Sequence, residues 1–338
     1  VRDDERRPLA PLGGGEEGRS NAPGGGEIAG GGETAAGRER SAGVERGSGG
    51  GRERSAGDER GSAAGVRALV AAAAERLRGA GVASPDFDAA ELLAFVTGSS
   101  RMYLSEPTGE QQRRYDELVG RRAGREPLQH LTGTAAFRYR ELVVGPGVFV
   151  PRPETEVMVG WVLERIAGVT APLVVDLCSG SGAIAGAVAT ERPDAVVHAV
   201  ELSPEACVWA RRNLAGTGAT LHEGDIDGCL PEFDGQVDAV ISNPPYIPLT
   251  AWESVTAEVR DHDPALALWS GDDGLDEIKV VAATAGRLLK PGGWFACEHA
   301  DVQGESAPAV FAATGLYAEV RDQLDLAGRH RFATGRRI

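Results

Sequence analysis

Apolar residues follow three different patterns along this chain. Over residues 1–65 they are sparse and have no period, among 19 glycines, 10 basic and 12 acidic side chains and no aromatic residue. Such a segment buries too little apolar surface to offset the entropy of ordering, so it reads as a disordered tail. From residue 66 to 126 the period becomes helical. Val66, Leu69, Val70, Ala73 and Leu77 define a first helix. Ser84-Pro85 reads as an N-cap followed by proline at the first helical position, Ala89, Leu92, Leu93 and Val96 form the next stripe, and Gly98 stops it. Thr108-Gly109-Glu110-Gln111 has the form of a capping box, opening a third helix that ends near Arg122. Residues 127–150 have strand character: Phe137 to Val144, then the turn signal Gly145-Pro146-Gly147, predict a β-hairpin linker. Beyond about residue 157, strands are predicted at 173–178, 195–201, 219–223, 237–242 and 293–299, with helices at 183–191, 204–214 and 274–289. This alternation implies βαβ units and a mostly parallel sheet over residues 151–338, with 316–323 and 330–335 as an antiparallel edge hairpin.

Composition narrows the function classes. The whole chain carries 35 basic and 50 acidic side chains, and residues 66–338 alone carry 25 and 38. An acidic body argues against broad binding to a phosphate backbone, so no direct nucleic acid partner is expected. Cys178, Cys207, Cys229 and Cys297 are scattered without close pairing, which implies neither a zinc site nor a disulfide framework and suits a reducing cytoplasm. No apolar run is long enough to span a membrane, and no apolar secretion segment stands near the N-terminus. The tail holds a near-repeat, GRERSAGVERGS at 37–48 and GRERSAGDERGS at 51–62, whose polar units have no face on which to stack. A solvated tail and an interaction arm both remain open for it.

The candidate chemistry sits at predicted strand ends, where open α/β sheets bind ligands. Asp176-Leu177-Cys178-Ser179-Gly180-Ser181-Gly182 is a strand running into a glycine-rich turn, with a helix opening at Ala183. Glu201 ends the next strand, where a carboxylate accepts from ribose hydroxyls. A nucleoside cofactor follows, and Gly180-x-Gly182-x-x-Ala185 also satisfies the dinucleotide pattern. Two features favour S-adenosylmethionine over NAD. Asp176 is placed to meet an ammonium and would repel a pyrophosphate, and Asp225 follows the third strand as an acceptor for an adenine amino group. After the fourth strand comes Asn243-Pro244-Pro245-Tyr246. Two prolines stiffen this corner, which offers an amide, a carbonyl and a ring to a planar –NH2 group.

Together these motifs resemble the peptide chain release factor glutamine methyltransferases, the HemK/PrmC family, from about residue 66 to 338. Further markers are Pro151-Arg152-Pro153-Glu154-Thr155-Glu156, Asp263-Pro264-Ala265-Leu266, Gly274-Leu275-Asp276, Pro291-Gly292-Gly293, Glu298-His299 and Asp325-Leu326-Ala327-Gly328-Arg329. The turn departs from the family at Cys178-Ser179, where Gly-Thr is usual. Glu201 replaces an aspartate, and Ile226 stands where an aromatic often flanks adenine.

The resemblance implies a class I S-adenosylmethionine-dependent methyltransferase fold: a Rossmann-like seven-stranded sheet preceded by a helical substrate-docking domain. It implies methyl transfer to the amide nitrogen of the glutamine in the Gly-Gly-Gln loop of class I release factors, by a monomeric enzyme. Asn243 and the Pro244 carbonyl would accept the two amide N–H bonds, with Pro245 and Tyr246 completing the substrate corner. The cofactor would lie among Phe149, Asp176, Cys178, Ser179, Gly180, Ser181, Gly182, Glu201, Asp225, Ile226 and Asn243. Three alternatives stay open: glutamine methylation of a ribosomal protein, adenine-N6 methylation of DNA, and a non-catalytic cofactor-binding module.

Overall fold

A computed structural model describes residues 56–338, with side chains from residue 63 onward. The expected tail to residue 55, and with it the first copy of the repeat, lies outside the described residues. Helix α1 (Ala56–Gly79) begins ten residues before its first apolar stripe residue, so residues 56–65 are helical and not tail. Once Val66, Ala73, Ala74 and Leu77 are packed, each added residue gains a hydrogen bond without a new nucleation cost, and Ala, Glu and Arg favour this extension. Helices α2 (Pro85–Thr97) and α3 (Gly109–Ala123) close the helical core, where Leu92, Leu93, Tyr115 and Leu118 are fully buried. The capping box at Thr108 and Gln111 forms as expected, whereas the Ser84 side chain makes no capping hydrogen bond; Pro85, which has no N–H to satisfy, starts α2 instead.

The linker differs from the expected hairpin in two ways. A short helix, α4 (Leu128–Thr132), precedes it, held by burial of Leu128 and Leu131. The hairpin lies earlier than expected: of the segment Phe137 to Val144 read as one strand, Phe137 ends β1 (Thr134–Phe137), Arg138 at φ 52° and Tyr139 form the tight turn, and the rest supplies β2 (Arg140–Val143). Gly145-Pro146-Gly147 is therefore not the hairpin turn. It carries the chain past Trp209, whose indole N–H donates to the Pro146 carbonyl, 3.2 Å away.

Helix α5 (Thr155–Arg165) leads into the alternating part: β3 (Leu173–Leu177), α6 (Ala183–Glu191), β4 (Val196–Glu201), α7 (Pro204–Leu214), β5 (Thr220–Glu223) and β6 (Val237–Ser242). A short helix α8 (Ala257–His262) follows, then α9 (Asp276–Leu288), β7 (Leu289–Glu298), α10 (Ser306–Ala313), β8 (Tyr317–Leu324) and β9 (His330–Arg337). The strand order is β5-β4-β3-β6-β7-β9-β8, with β9 antiparallel to both β7 and β8 and the other pairs parallel. The alternation of side chains along each strand divides the core. Val174, Ala239 and Ile241 join α5, α6 and α7 on one face, while Val175, Leu177 and Val240 join α9 and α10 on the other. The order reverses between β3 and β4 on one side and β6 on the other, so their carboxyl ends open onto a crevice.

Candidate active site

A cavity of about 400 Å³ occupies this crevice. Its floor is the loop after β3. Cys178 has φ 59°, Gly180 55° and Gly182 77°. A left-handed cysteine costs of order 1 kcal/mol, which the loop sustains through its hydrogen bonds. The Ser179 N–H donates to the Val200 carbonyl at 3.0 Å, and the Ser181 carbonyl accepts from Asn213 at 2.9 Å. Asn213 also brackets Val143, donating to its carbonyl and accepting from its N–H, so one α7 side chain fastens the hairpin to the loop. Gly182 does not face the cavity. Its missing Cβ makes room for Leu214, which would lie 2.9 Å away.

Asp176 lies below the loop and is fully buried, outside the cavity wall. It accepts from the Ser179 hydroxyl at 2.6 Å and from the Ala185 N–H at 3.0 Å. Burial pushes its carboxyl up to about 7 against these hydrogen bonds. Both donors reach the same oxygen, Oδ2, which pins the two sides of the turn from behind, while Oδ1 is buried with no hydrogen-bond partner among the described residues. Glu201 does face the cavity. Its two oxygens accept from the Gly180 N–H at 2.6 Å and the Ser203 N–H at 2.8 Å, which fixes the carboxylate while leaving lone pairs for a ligand. Cys178, Ser179, Gly180 and Ser181 line the cavity with it, as do Asp225, Ile226 and Phe149. The Phe149 ring carries the Arg152 guanidinium 4.8 Å from its centroid, and Arg152 in turn bonds Asp263 at 2.7 Å.

The opposite wall is the corner after β6. Asn243, Pro244, Pro245 and Tyr246 all line the cavity. Asn243 Nδ2 approaches Thr155 Oγ1 at 3.4 Å, Thr155 donates to Glu298 Oε2 at 2.6 Å, and the Tyr246 hydroxyl donates to Glu298 Oε1 at 3.1 Å. Burial pushes the Glu298 carboxyl up to about 6, although Thr155, the Arg331 charge and Tyr246 all favour its ionised form. The backbone is held from behind, where Gln303 Nε2 donates to the Tyr246 carbonyl at 3.1 Å. Gly274 is required at this place: a Cβ there would lie 2.3 Å from the Tyr246 carbonyl oxygen. Asn243 Oδ1 and the Pro244 carbonyl accept no hydrogen bond from the described residues.

Sequence reasoning assigned no role to several residues found here. Thr155 and Glu298 lie inside quoted motifs, yet only the fold brings them together. Trp269, stacked on Trp252 with centroids 5.2 Å apart, and Glu277 also line the cavity. No local sequence signal singles them out. Among the described residues no three His, Cys, Asp or Glu side chains converge as metal ligands, and no helix is long and apolar enough to cross a membrane.

Comparison with known proteins agrees with this geometry. Residues 68–133 match the family profile of the PrmC N-terminal domain, and residues 174–262 match that of a methyltransferase domain. A release factor glutamine methyltransferase of Streptomyces coelicolor is 55% identical over 273 residues, 80% of this chain and 97% of that protein. One from Mycolicibacterium smegmatis is 45% identical over 278 residues, 81% and 98%. A 4-amino-L-phenylalanine/4-methylamino-L-phenylalanine methyltransferase of Streptomyces pristinaespiralis is 46% identical over 210 residues, 61% and 72%. A glycine loop, a pinned carboxylate and an Asn-Pro-Pro-Tyr corner around one cavity, behind a matching helical domain, thus coincide with identity along nearly the full length of such relatives: the chain belongs to the release factor glutamine methyltransferase family.

Proposed function

We propose that this chain transfers a methyl group from S-adenosylmethionine to the side-chain amide nitrogen of a glutamine, the one in the Gly-Gly-Gln loop of class I peptide chain release factors. The observation that carries the reading is the pair of unclaimed acceptors, Asn243 Oδ1 and the Pro244 carbonyl, on a stiff corner of the cavity that Glu201 and the glycine loop also line. The cavity suits the cofactor. Its volume falls within the ~300–1,000 Å³ of small-molecule sites, and Glu201 provides a fixed acceptor beside the apolar surface of Ile226. In this reading Glu201 takes the ribose hydroxyls, Ile226 and Phe149 cover apolar ligand surface, and Asp225 accepts from the adenine amino group. Asp176 shapes the loop through Oδ2 and keeps Oδ1 unpartnered beneath the cavity floor for the ligand ammonium.

When bound, S-adenosylmethionine supplies a methyl carbon made electrophilic by its sulfonium sulfur. The task left to the protein is the nucleophile. An amide nitrogen is weak because its lone pair is delocalised into the carbonyl. Two acceptors on its N–H bonds hold it in one orientation and draw electron density toward nitrogen, so the rate gain comes from alignment and fixed dipoles. The N-methyl amide first formed is cationic and acidic, and it loses a proton to water without a dedicated base. The same reading places the enzyme in the cytoplasm, where release factors act, as a monomer without a direct nucleic acid partner.

Labelled S-adenosylmethionine, incubated with release factor carrying Gln or Ala in the Gly-Gly-Gln loop, tests the assignment. Label on the Gln form alone is expected. Because one relative is named for an amino-phenylalanine, free 4-amino-L-phenylalanine belongs in the same assay, and preferential labelling of that amine would replace the protein substrate with a small one.

A further inference from the structure

Resting on the reading above, we infer that Glu298 and Thr155 form a positioning relay that decides which end of the Asn243 amide faces the substrate. Thr155 has one hydroxyl proton, and its Oγ1 stands 2.6 Å from Glu298 Oε2, the separation of a hydroxyl donating to a carboxylate. With that proton committed, Oγ1 can only accept. The Asn243 amide beside it at 3.4 Å must then present its N–H2 end, because its carbonyl oxygen would meet a second acceptor. Oδ1 is thereby turned away from Thr155. The contact is long and contributes little binding energy; it acts by excluding the flipped amide. Glu298 serves the corner a second time, since its Oε1 takes the Tyr246 hydroxyl.

Three elements converge here: Thr155 opens α5, Glu298 ends β7, and the corner follows β6. Glu298 is 1% exposed; the Arg331 charge acts on it, but among the described residues its hydrogen bonds come only from hydroxyls. A buried carboxylate is costly to keep even beside a charge it does not hydrogen-bond, and a packing role would be filled as well by an apolar residue. Two hydroxyl donors aimed at it, each connected to the same four-residue corner, give that position a use in orienting the site.

Thr155→Val removes the hydroxyl with little change of shape, and Thr155→Ser keeps it. With a release factor as substrate, Thr155→Val is expected to lower kcat about 10-fold or more, with cofactor affinity within about twofold of wild type, since Glu201 and Asp225, the acceptors assigned to the cofactor, are not part of the relay. Thr155→Ser is expected to restore kcat to near the wild-type value. Equal kcat in wild type and Thr155→Val overturns the relay, and so does an equal loss in both variants. A readout that needs no methyl acceptor separates this inference from the substrate assignment: hydrogen exchange of the Asn243 side-chain amide, followed by NMR. Faster exchange in Thr155→Val than in wild type and Thr155→Ser supports the relay whatever the substrate, whereas identical exchange in all three removes it.

Discussion

At the residue scale the account turns on which polar atoms the protein leaves unsatisfied and which it fixes. Asn243 Oδ1 and the Pro244 carbonyl accept no hydrogen bond from the described residues, and Asp176 Oδ1 is buried without a partner there, while Glu201, Glu298 and Asp176 Oδ2 are committed to donors. Asn243→Ala should therefore lower kcat by about 10²–10³ and leave the cofactor dissociation constant nearly unchanged, a split that calorimetry and steady-state kinetics separate. Glu201→Gln should act in the opposite way. One of its two oxygens becomes a donor facing a backbone N–H, so cofactor affinity should fall about tenfold, equivalent to about 1.4 kcal/mol, with a smaller effect on kcat at saturation. The pH profile reports on Glu298. Thr155, Tyr246, Arg331 and Glu154 surround its carboxyl, and burial sets its pKa at about 6. Below that pH one oxygen is protonated and becomes a donor, while two hydroxyls still need acceptors. Methyl transfer at saturating substrate should fall as pH drops through about 6, and Glu298→Gln should lose that limb. Asp176 shows why residue roles are harder to read than residue types. Its place at a strand end was legible, but its burial below the loop depends on Ser179 and Ala185 folding back over it.

At the element scale, loops and short helices are positioned by groups distant in sequence. Helix α8 borders the cavity and is tied to the helical region through Glu258, which accepts from Arg122 at 3.0 Å and from Arg125. Burial alone would raise the Glu258 carboxyl, but the Arg125 and Arg122 hydrogen bonds outweigh it and hold it at about 2. An unfolded glutamate titrates near ~4.3. The stabilisation is thus fully present above that value and is lost as pH falls toward 2. Glu258→Gln should lower Tm at pH 7 by about 2–4 °C, in line with ~1 kcal/mol for a partly solvated pair, and the difference should close in acid. Gly274 offers a sharper test. Gly274→Ala places a methyl against the Tyr246 carbonyl at a residue with φ 75°. It should reduce kcat at least as much as it reduces stability, read by kinetics alongside thermal unfolding. The strands and major helices were legible because each carries its own signal: near-continuous apolar runs at Val174-Val175 and Val237 to Ser242, and helical stripes at Val66 to Leu77 and Ala89 to Val96. The hairpin turn at Arg138-Tyr139 and helix α4 were not, because no Gly, Asn or Pro marks the turn. Tertiary packing of Phe137, Leu142 and Leu128 decides those boundaries.

At the scale of the whole molecule, motifs spread over more than a hundred residues become one site only through strand order. β3, β4 and β6 are neighbours in the sheet, and this brings the glycine loop, Glu201 and Asn243 around a single cavity. That the glycine loop and Glu201 would share a cavity was readable in advance because a strand, a glycine turn and a distant carboxylate form a local grammar. The orienting layer behind the corner was not: Thr155 and Glu298 are 143 residues apart, and their meeting is a property of the fold alone. The helical region matches the PrmC N-terminal domain profile, and the 55% identity to the Streptomyces coelicolor relative spans 97% of that protein. The central claim is that the amide grip serves a release factor glutamine. Its most direct test is mass spectrometry of a class I release factor after incubation with the enzyme and S-adenosylmethionine. The account predicts the mass of one added methyl group on the Gly-Gly-Gln peptide, placed on the glutamine side chain and absent with Asn243→Ala. An unmodified peptide under conditions where the enzyme binds cofactor, or a methyl group at another residue, would contradict it.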